Sequence, residues 1–489
     1  MDLEKKKRRQ SLKIIISESI MVLAVIITVI ILALLVSGYW INSDFKVERQ
    51  GMLQISSVPT GADVIIDNEA AWMQRTNTSK VLVSGEHNIV LKKEGYDSWS
   101  KTINISEGLL YRIHYPRLFL QNRSTEKILS TTGTTMSTIS PDHNSLILIN
   151  NTTEWALIDL THDQPEPKKL NISNIFSSTS LASGTSSGLF TGEILDIKWD
   201  YNGSHALFKV KNSDSFEWVL LDIKNLDKSV NLSKEFDSTF SNIEILDDSS
   251  NTLLAIKNNN LYKIDVSARQ ISTILVDNVI SFDHFNDEIL FVAAESTDET
   301  DKTSIPEYKI VSDENNSASN SEYYIGFTKA GSDETVKIKT ASDNTKAVLS
   351  RFYDEKYITI LEGTMMSLYK TEDYSKVGDF SLSFSPEQLK VGYNGEFIIA
   401  YKDNSVATLD MEANSVREWQ FEGENFGWID NNMIYTVKDN ELIVYDFDGL
   451  NRREISKNVS AHFSVGITEN KWLYYFSDDS LIREWLITR

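Results

Sequence analysis

The sequence predicts an all-β exported body, a small β-sandwich followed by a ring of eight repeated sheets, carried behind one N-terminal transmembrane helix. Three observations lead there: a long uncharged apolar run near the N-terminus, a stretch of short alternating strands behind it, and a strand-turn-strand pattern that recurs from residue 121 to residue 489. Cysteine is absent, which excludes thiol nucleophiles, disulfides and thiolate metal sites and leaves a core of apolar side chains to stabilise the body.

The apolar run is Ile20 to Trp40, 21 residues without a charge. At about 1.5 Å per residue it suffices to cross roughly 30 Å of hydrocarbon. Tyr39 and Trp40 stand at its far end, where amphipathic rings favour the interface. A cleavable signal peptide is the rival reading, but its apolar region usually runs only about 7 to 15 residues and ends in small residues. Ser37-Gly38-Tyr39-Trp40 is a poor version of such an end. The basic head Lys5-Lys6-Lys7-Arg8-Arg9 sets the orientation: residues 1–19 form a cytoplasmic tail, residues 20–40 span the membrane once, and the body lies outside.

The net charge is −22, with six basic and two acidic side chains in residues 1–13, so the rest of the chain carries about −26. A body this acidic repels nucleic acid phosphates and anionic lipid headgroups, which leaves nucleic acid out of the expected partners.

After the polar stem Asn42 to Gln50 the residues alternate between apolar and polar. Strands are predicted at Met52–Val58, Asp63–Asp67, Lys80–Val83, His87–Lys92, Trp99–Ile105 and Leu109–Leu118, with turns at Pro59-Thr60-Gly61-Ala62, Ser84-Gly85-Glu86 and Lys93 to Asp97. About 70 residues of short strands make a small sandwich. The text from Gly51 to Asp67 (GMLQISSVPTGADVIID) and from Val83 to Tyr96 (VSGEHNIVLKKEGY) resembles the PEGA domain, a surface β-sandwich module, over residues 50–118. Pro59-Thr60-Gly61-Ala62 stands where that family has Pro-Glu-Gly-Ala, and Gln74 to Thr78 replaces its usual Gly-Thr-Pro loop. The resemblance implies surface placement and no shared catalytic residues.

Between residues 121 and 489 the repeat runs apolar strand, tight polar turn, second apolar strand ending near Asp, then a polar strand. Ser140 to Ile149 leads to Trp155 to Leu160, and Trp199 to Phe208 leads to Trp218 to Ile223. Units centred near residues 146, 206, 253, 289, 357, 397, 433 and 472 number eight. Eight units average about 46 residues and seven about 53, against a usual propeller blade of roughly 40 to 45. Eight blades fit better, with seven the alternative. The strand Thr125–Ser130 precedes the first unit and is predicted to close the ring on the last, Leu481–Ile487. The Ser140-Pro141-Asp142 and Trp199-Asp200-Tyr201-Asn202-Gly203 turns resemble the repeat signature of bacterial WD/PD-like β-propellers. A β-solenoid is the competitor. Two segments break the repeat, Asn171–Gly192, rich in Ser, Thr and Gly, and the acidic Glu295–Glu322. Composition reads both as disordered, with a contact surface as the alternative.

The seven histidines, His87, His114, His143, His162, His205, His284 and His462, lack metal-binding spacing, and no nucleophile elbow, phosphate loop or dinucleotide fingerprint appears. Asp446 to Asn451 resembles the start of a calcium loop, but a hairpin turn explains it, because the later acidic ligands are missing. Asp247-Asp248 and Asp478-Asp479 suggest a glycosidase dyad, yet both pairs fall in equivalent turns. Trp72, Trp99, Trp419 and Trp428 read as core or as sugar platforms. No catalytic, cofactor or metal residue is assigned. The expected protein is a single-pass, membrane-anchored, extracytoplasmic binding or scaffolding protein of the bacterial cell envelope, without an enzymatic activity or a cofactor. Its expected partner is an envelope protein or a cell-wall glycan, and the competing reading is a propeller hydrolase or lyase acting on envelope polysaccharide.

Overall fold

The computed structural model describes residues 17–30, 32–33, 39–41, 47–177, 180–182, 189–212, 215–246, 251–295, 322–332, 334–460, 463 and 465–487. Between Asn122 and Arg123 the chain divides into two compact units. Residues 17–30 are helical, with Ile20 at 61 % and Val29 at 59 % exposure. Among the described residues no helix is long and apolar enough to cross a membrane. The predicted tail and span lie largely or partly outside the described residues. The last residues of the predicted span are extended, Tyr39–Ile41 pairing antiparallel with Val47–Arg49.

The first unit holds two four-stranded sheets. In one, Val47–Ile55 pairs antiparallel with Tyr39–Ile41 and Thr78–Val83 and parallel with Leu110–Ile113. In the other the order is Glu69–Arg75, Asp63–Ile66, Gly85–Lys92, Trp99–Ile105. Alternation dictates the packing: Leu53, Ile55, Val64, Ile66, Ile89 and Leu91 are buried while most of their strand neighbours are half or fully exposed. Trp99, fully buried, is a core residue and not a sugar platform. The strand Glu69–Arg75 was not predicted, because Glu69-Ala70-Ala71 lacks β-branched residues and its register shifts at a bulge beside Asp63.

The second unit contains eight four-stranded antiparallel sheets among the described residues. The eight unit centres read from the sequence fall in their second strands: Ser145–Asn150, His205–Lys211, Thr252–Lys257, Glu288–Ala294, Glu355–Glu362, Phe397–Lys402, Met433–Lys438 and Trp472–Ser477. These strands read as continuous apolar runs because both faces are covered. Side chains of one sheet mesh with those of the next, as Ile147 and Trp155 do with Phe208 and Val219, and Ile398 and Leu409 with Leu361 and Leu368. Fourth strands such as Pro167–Asn171 and Ser415–Gln420 are mostly exposed and polar. Several hairpins turn through two consecutive left-handed residues, Asn258-Asn259, Asp439-Asn440 and Asp478-Asp479, where short polar side chains tolerate positive φ.

The array closes on itself. Thr125–Ser130 pairs antiparallel with Ser480–Trp485, from Ser130 opposite Ser480 to Thr125 opposite Glu484. The last sheet then packs on the first through Leu146, Ile158, Tyr474 and Phe476. Sheets that follow one another, face-packed at seven junctions, linked at the next by the Ile467 N–H to the Ile429 carbonyl at 3.1 Å and joined end to end, make a β-propeller. Charge pairs fix the seam: Glu484, 3 % exposed, accepts from Arg123 Nε, and the buried Arg483 meets Glu126 at 2.7 Å.

Where Asn171–Gly192 is described, it departs from the expected disorder. Leu181–Ala182 pairs with Leu189–Phe190, and Phe176 and Phe190 lie 5.5 and 5.2 Å, ring centre to ring centre, from Trp155. Beneath them the buried Glu217 receives the Ser177 N–H at 3.1 Å and Asn231 Nδ2 at 2.6 Å, and Ser180 Oγ also donates to it. Two phenylalanines and one buried carboxylate outweigh the Ser/Thr-rich composition. Most of Glu295–Glu322 lies outside the described residues.

Candidate functional site

First strands and first-to-second turns of several sheets come together at one end of the ring. There a cavity of about 960 Å³ is lined by residues of seven of the sheets. Two of its wall turns share one text, Tyr201-Asn202-Gly203 and Tyr393-Asn394-Gly395. Both glycines adopt positive φ, +61° and +74°, and both lie tightly against the preceding turn or strand. A Cβ on Gly395 would come within 2.0 Å of the Arg351 carbonyl oxygen, so only glycine lets this turn seat there. The turn thereby presents its tyrosine to the cavity; Tyr201 is 68 % exposed and Tyr393 44 %.

Trp428 and Phe426 add aromatic surface from Glu424–Trp428, and Arg351 and Lys390 add charge from Lys346–Phe352 and Gln388–Val391. Among the described residues the wall contains one carboxylate, Asp283 on Val279–Phe285. Its Oδ2 accepts the Leu349 backbone N–H at 2.7 Å from the neighbouring inner strand. Desolvation outweighs that hydrogen bond and pushes its pKa up to about 6. Desolvation raises Tyr393, partly exposed as it is, above the ordinary phenol range and pushes Tyr435 up to about 12, so both hydroxyls stay protonated near neutral pH.

Of the residues weighed in the sequence, Trp428 and His284 reach this cavity. His143 packs beside it, 5.8 Å from the Tyr393 ring, with Nδ1 at 3.1 Å from the Ile467 carbonyl. Desolvation pulls its pKa below the usual histidine range, as suits a buried neutral ring. His205 braces its own turn between Asp200 at 3.1 Å and Asp222 at 3.7 Å. Desolvation alone would raise Asp200, but hydrogen bonds from His205 and Ser204 hold its carboxyl low. His87 bridges Asp67 at 2.7 Å and the Val83 carbonyl at 2.6 Å in the sandwich. His114 and His162 are exposed, and His462 lies outside the described residues.

Asp446 to Asn451 is a hairpin turn: Gly449 N–H donates to the Asp446 carbonyl at 2.9 Å and Asn451 Nδ2 to the Asp446 carboxylate at 2.8 Å. Among the described residues no group of three or more His, Asp or Glu side chains is placed to hold a metal. Asp478-Asp479 sits at a hairpin tip, where the backbone explains it; Asp247-Asp248 and the Trp72 side chain lie outside the described residues. Trp419 packs between sheets, its Nε1 donating to Thr408 Oγ1 at 3.1 Å. Sequence reading missed Tyr201, Tyr393, Arg351, Lys390 and Asp283 as neighbours. The repeated Tyr-Asn-Gly was the one signal available, since the charged residues meet only through ring geometry.

No curated protein matches the chain. Among solved structures it is similar to an oligogalacturonate lyase in complex with manganese, at 11 % identity and TM-score 0.38 over 59 % of this chain and 88 % of that one. It is also similar to the computationally designed Ika8 protein, at 11 % identity and TM-score 0.41 over 74 % and 100 % of the two chains. The β-propeller domain of Myceliophteria thermophila Cps50 (Swd1) gives 10 % identity and TM-score 0.39 over 75 % and 100 %. These likenesses are distant, and the fold rests on the sheets themselves. Residues 50–117 match the PEGA domain family, so the unit ending at Asn122 carries a PEGA domain.

Proposed function

We propose that the chain is a single-pass, membrane-anchored, extracytoplasmic binding or scaffolding protein of the bacterial cell envelope, without catalytic activity. It displays a PEGA domain and an eight-bladed, WD/PD-like β-propeller whose channel cavity takes an envelope protein or cell-wall glycan. The observation that carries this reading is the cavity wall: exposed tyrosines, a tryptophan and two cations, with a single carboxylate. Concave, largely apolar sites with a few placed polar groups are the usual form of binding pockets. The uncharged run from Ile20 and the basic head before it support the anchor and its orientation.

The competing hydrolase or lyase draws on Asp283, whose raised pKa suits proton transfer near neutral pH. A glycosidase needs a second carboxylate, about 5 to 10 Å away. Among the described cavity residues Asp283 is alone in this respect. The test is retention of purified cell wall and envelope extract by the immobilised protein, compared with Trp428→Ala. Retention that Trp428→Ala abolishes supports binding in the channel. Release of shortened or unsaturated sugars from the retained material, lost in Asp283→Asn, would replace the binding reading with the enzyme. Protease added to wall-stripped cells should digest the body; a protected C-terminal unit would overturn the orientation.

A further inference from the structure

The charges in the cavity run against those of the chain. With 70 acidic and 48 basic residues, a lysine here has many carboxylates to meet. Several do so, Lys198 with Glu244 at 2.6 Å, Lys356 with Glu288 at 2.8 Å and Lys402 with Glu387 at 2.7 Å. Lys390 is exposed, lies 5.6 Å from the centre of the Tyr401 ring, and among the described residues pairs with no carboxylate. Arg351 reaches the Tyr353 carbonyl at 3.1 Å and only the fully exposed Asp354 carboxylate at 3.5 Å. An exposed pair of that kind neutralises little.

The rings supply a second observation. Tyr201 and Tyr393 stay exposed although aromatic surface is among the most favourable to bury, which marks a surface kept for contact. Trp428 Nε1 is buried in the wall without a hydrogen-bond partner among the described residues, an unused donor beside those rings. Flat aromatic faces suit the apolar faces of sugar rings, and unneutralised cations suit acid groups carried on them.

We propose that the channel cavity binds an acidic oligosaccharide, with sugar faces against Tyr201, Tyr393 and Trp428 and carboxylates towards Lys390 and Arg351. The inference rests on reading the channel as a binding site and names the ligand class for it. The net charge of −22 disfavours anions over the rest of this surface, so selectivity for them must come from the cavity.

The test titrates the full-length chain in neutral detergent micelles with a glucuronate-containing tetrasaccharide and with its carboxyl-reduced, neutral form, by calorimetry. The acidic sugar is expected to bind, and carboxyl reduction to weaken it roughly tenfold. Lys390→Gln should cost a similar factor for the acidic sugar and nothing for the neutral one; Tyr393→Ala should weaken both. Unchanged melting temperatures would show that both variants are folded. Equal affinity for the two sugars, or none for either, overturns the acidic-glycan inference. If an envelope protein is meanwhile retained through Trp428, the binding site survives and its ligand is a protein; if nothing is retained, the reading of the channel as a binding site fails as well.

Discussion

The seam of the ring and the channel-wall contact between its fourth and fifth sheets are held by different polar groups. Internally, sheets joined by a short piece of chain lie together through apolar side chains, as Leu253 and Ile264 do with Leu207 and Trp218. Local connectivity already sets their register. At the junction of the fourth and fifth sheets Lys356 meets the buried Glu288 at 2.8 Å, and on the channel wall a carboxylate caps a backbone amide, Asp283 accepting the Leu349 N–H at 2.7 Å. The seam joins opposite ends of the unit, and there one buried charge meets a more exposed one in each pair: Glu484 with Arg123, and Arg483, 5.0 Å from the Trp472 ring centre, with the exposed Glu126. Arg123 also donates to the Ile455 carbonyl at 2.9 Å. Where connectivity does not choose the register, directional charge pairs do, because a one-residue slip would leave the buried Glu484 and Arg483 without their partners.

Removing the closing strand should have the largest effect. A chain beginning at Thr132 loses the ladder on Ser480–Trp485 and exposes an edge, so it is expected to melt earlier and aggregate, whereas a chain beginning at Arg117 keeps the ring. Scanning calorimetry with light scattering reads both, and equal melting temperatures would mean that the ring is held without this strand. Next comes Glu484→Ala, which strands Arg123 and is expected to cost about 3–5 kcal/mol in urea unfolding. The double change Arg123→Met, Glu484→Leu should recover most of that loss. Equal losses in the single and double variants would show that packing, not charge pairing, holds the seam.

The smallest effect belongs to the internal junction. Asp283 titrates near 3.8 when unfolded and at about 6 when folded, so the folded state binds the extra proton between those values. Stability therefore falls as pH rises through this window and stays at the lower level above it. Asp283→Asn removes the slope and should gain on the order of 2 kcal/mol above the folded pKa, with little change at low pH. Matching stability profiles from acid to neutral pH would break the contrast between the two junctions.

The second and third strands of the propeller were legible because burial on both faces writes them as apolar runs, such as Phe397-Ile398-Ile399-Ala400. First strands were harder, since sequences such as Val279 to Phe285 mix apolar, acidic and histidine side chains along a channel wall. The sandwich strand Glu69–Arg75 carried no alternation to find. Phe176 and Phe190 were the overlooked signs that a Ser/Thr-rich segment docks. Of the cavity, the repeated Tyr-Asn-Gly could be read; the approach of Asp283, Arg351 and Lys390 could not, because it depends on how many sheets the ring contains and on which turns share one end.

The closing strand also sets a schedule for synthesis. Ser130 and Asp479 are 349 positions apart, so at roughly 5–20 residues per second the strand waits on the order of a minute before its partner is made. Through that interval it is an unpaired edge beside growing sheets, each of which offers a free edge of its own. Its text, Thr125-Glu126-Lys127-Ile128-Leu129-Ser130, places two charges and two hydroxyls among six residues. That polarity discourages early pairing with the wrong sheet, and the later-made residues Arg483 and Glu484 bring the charges that complete it.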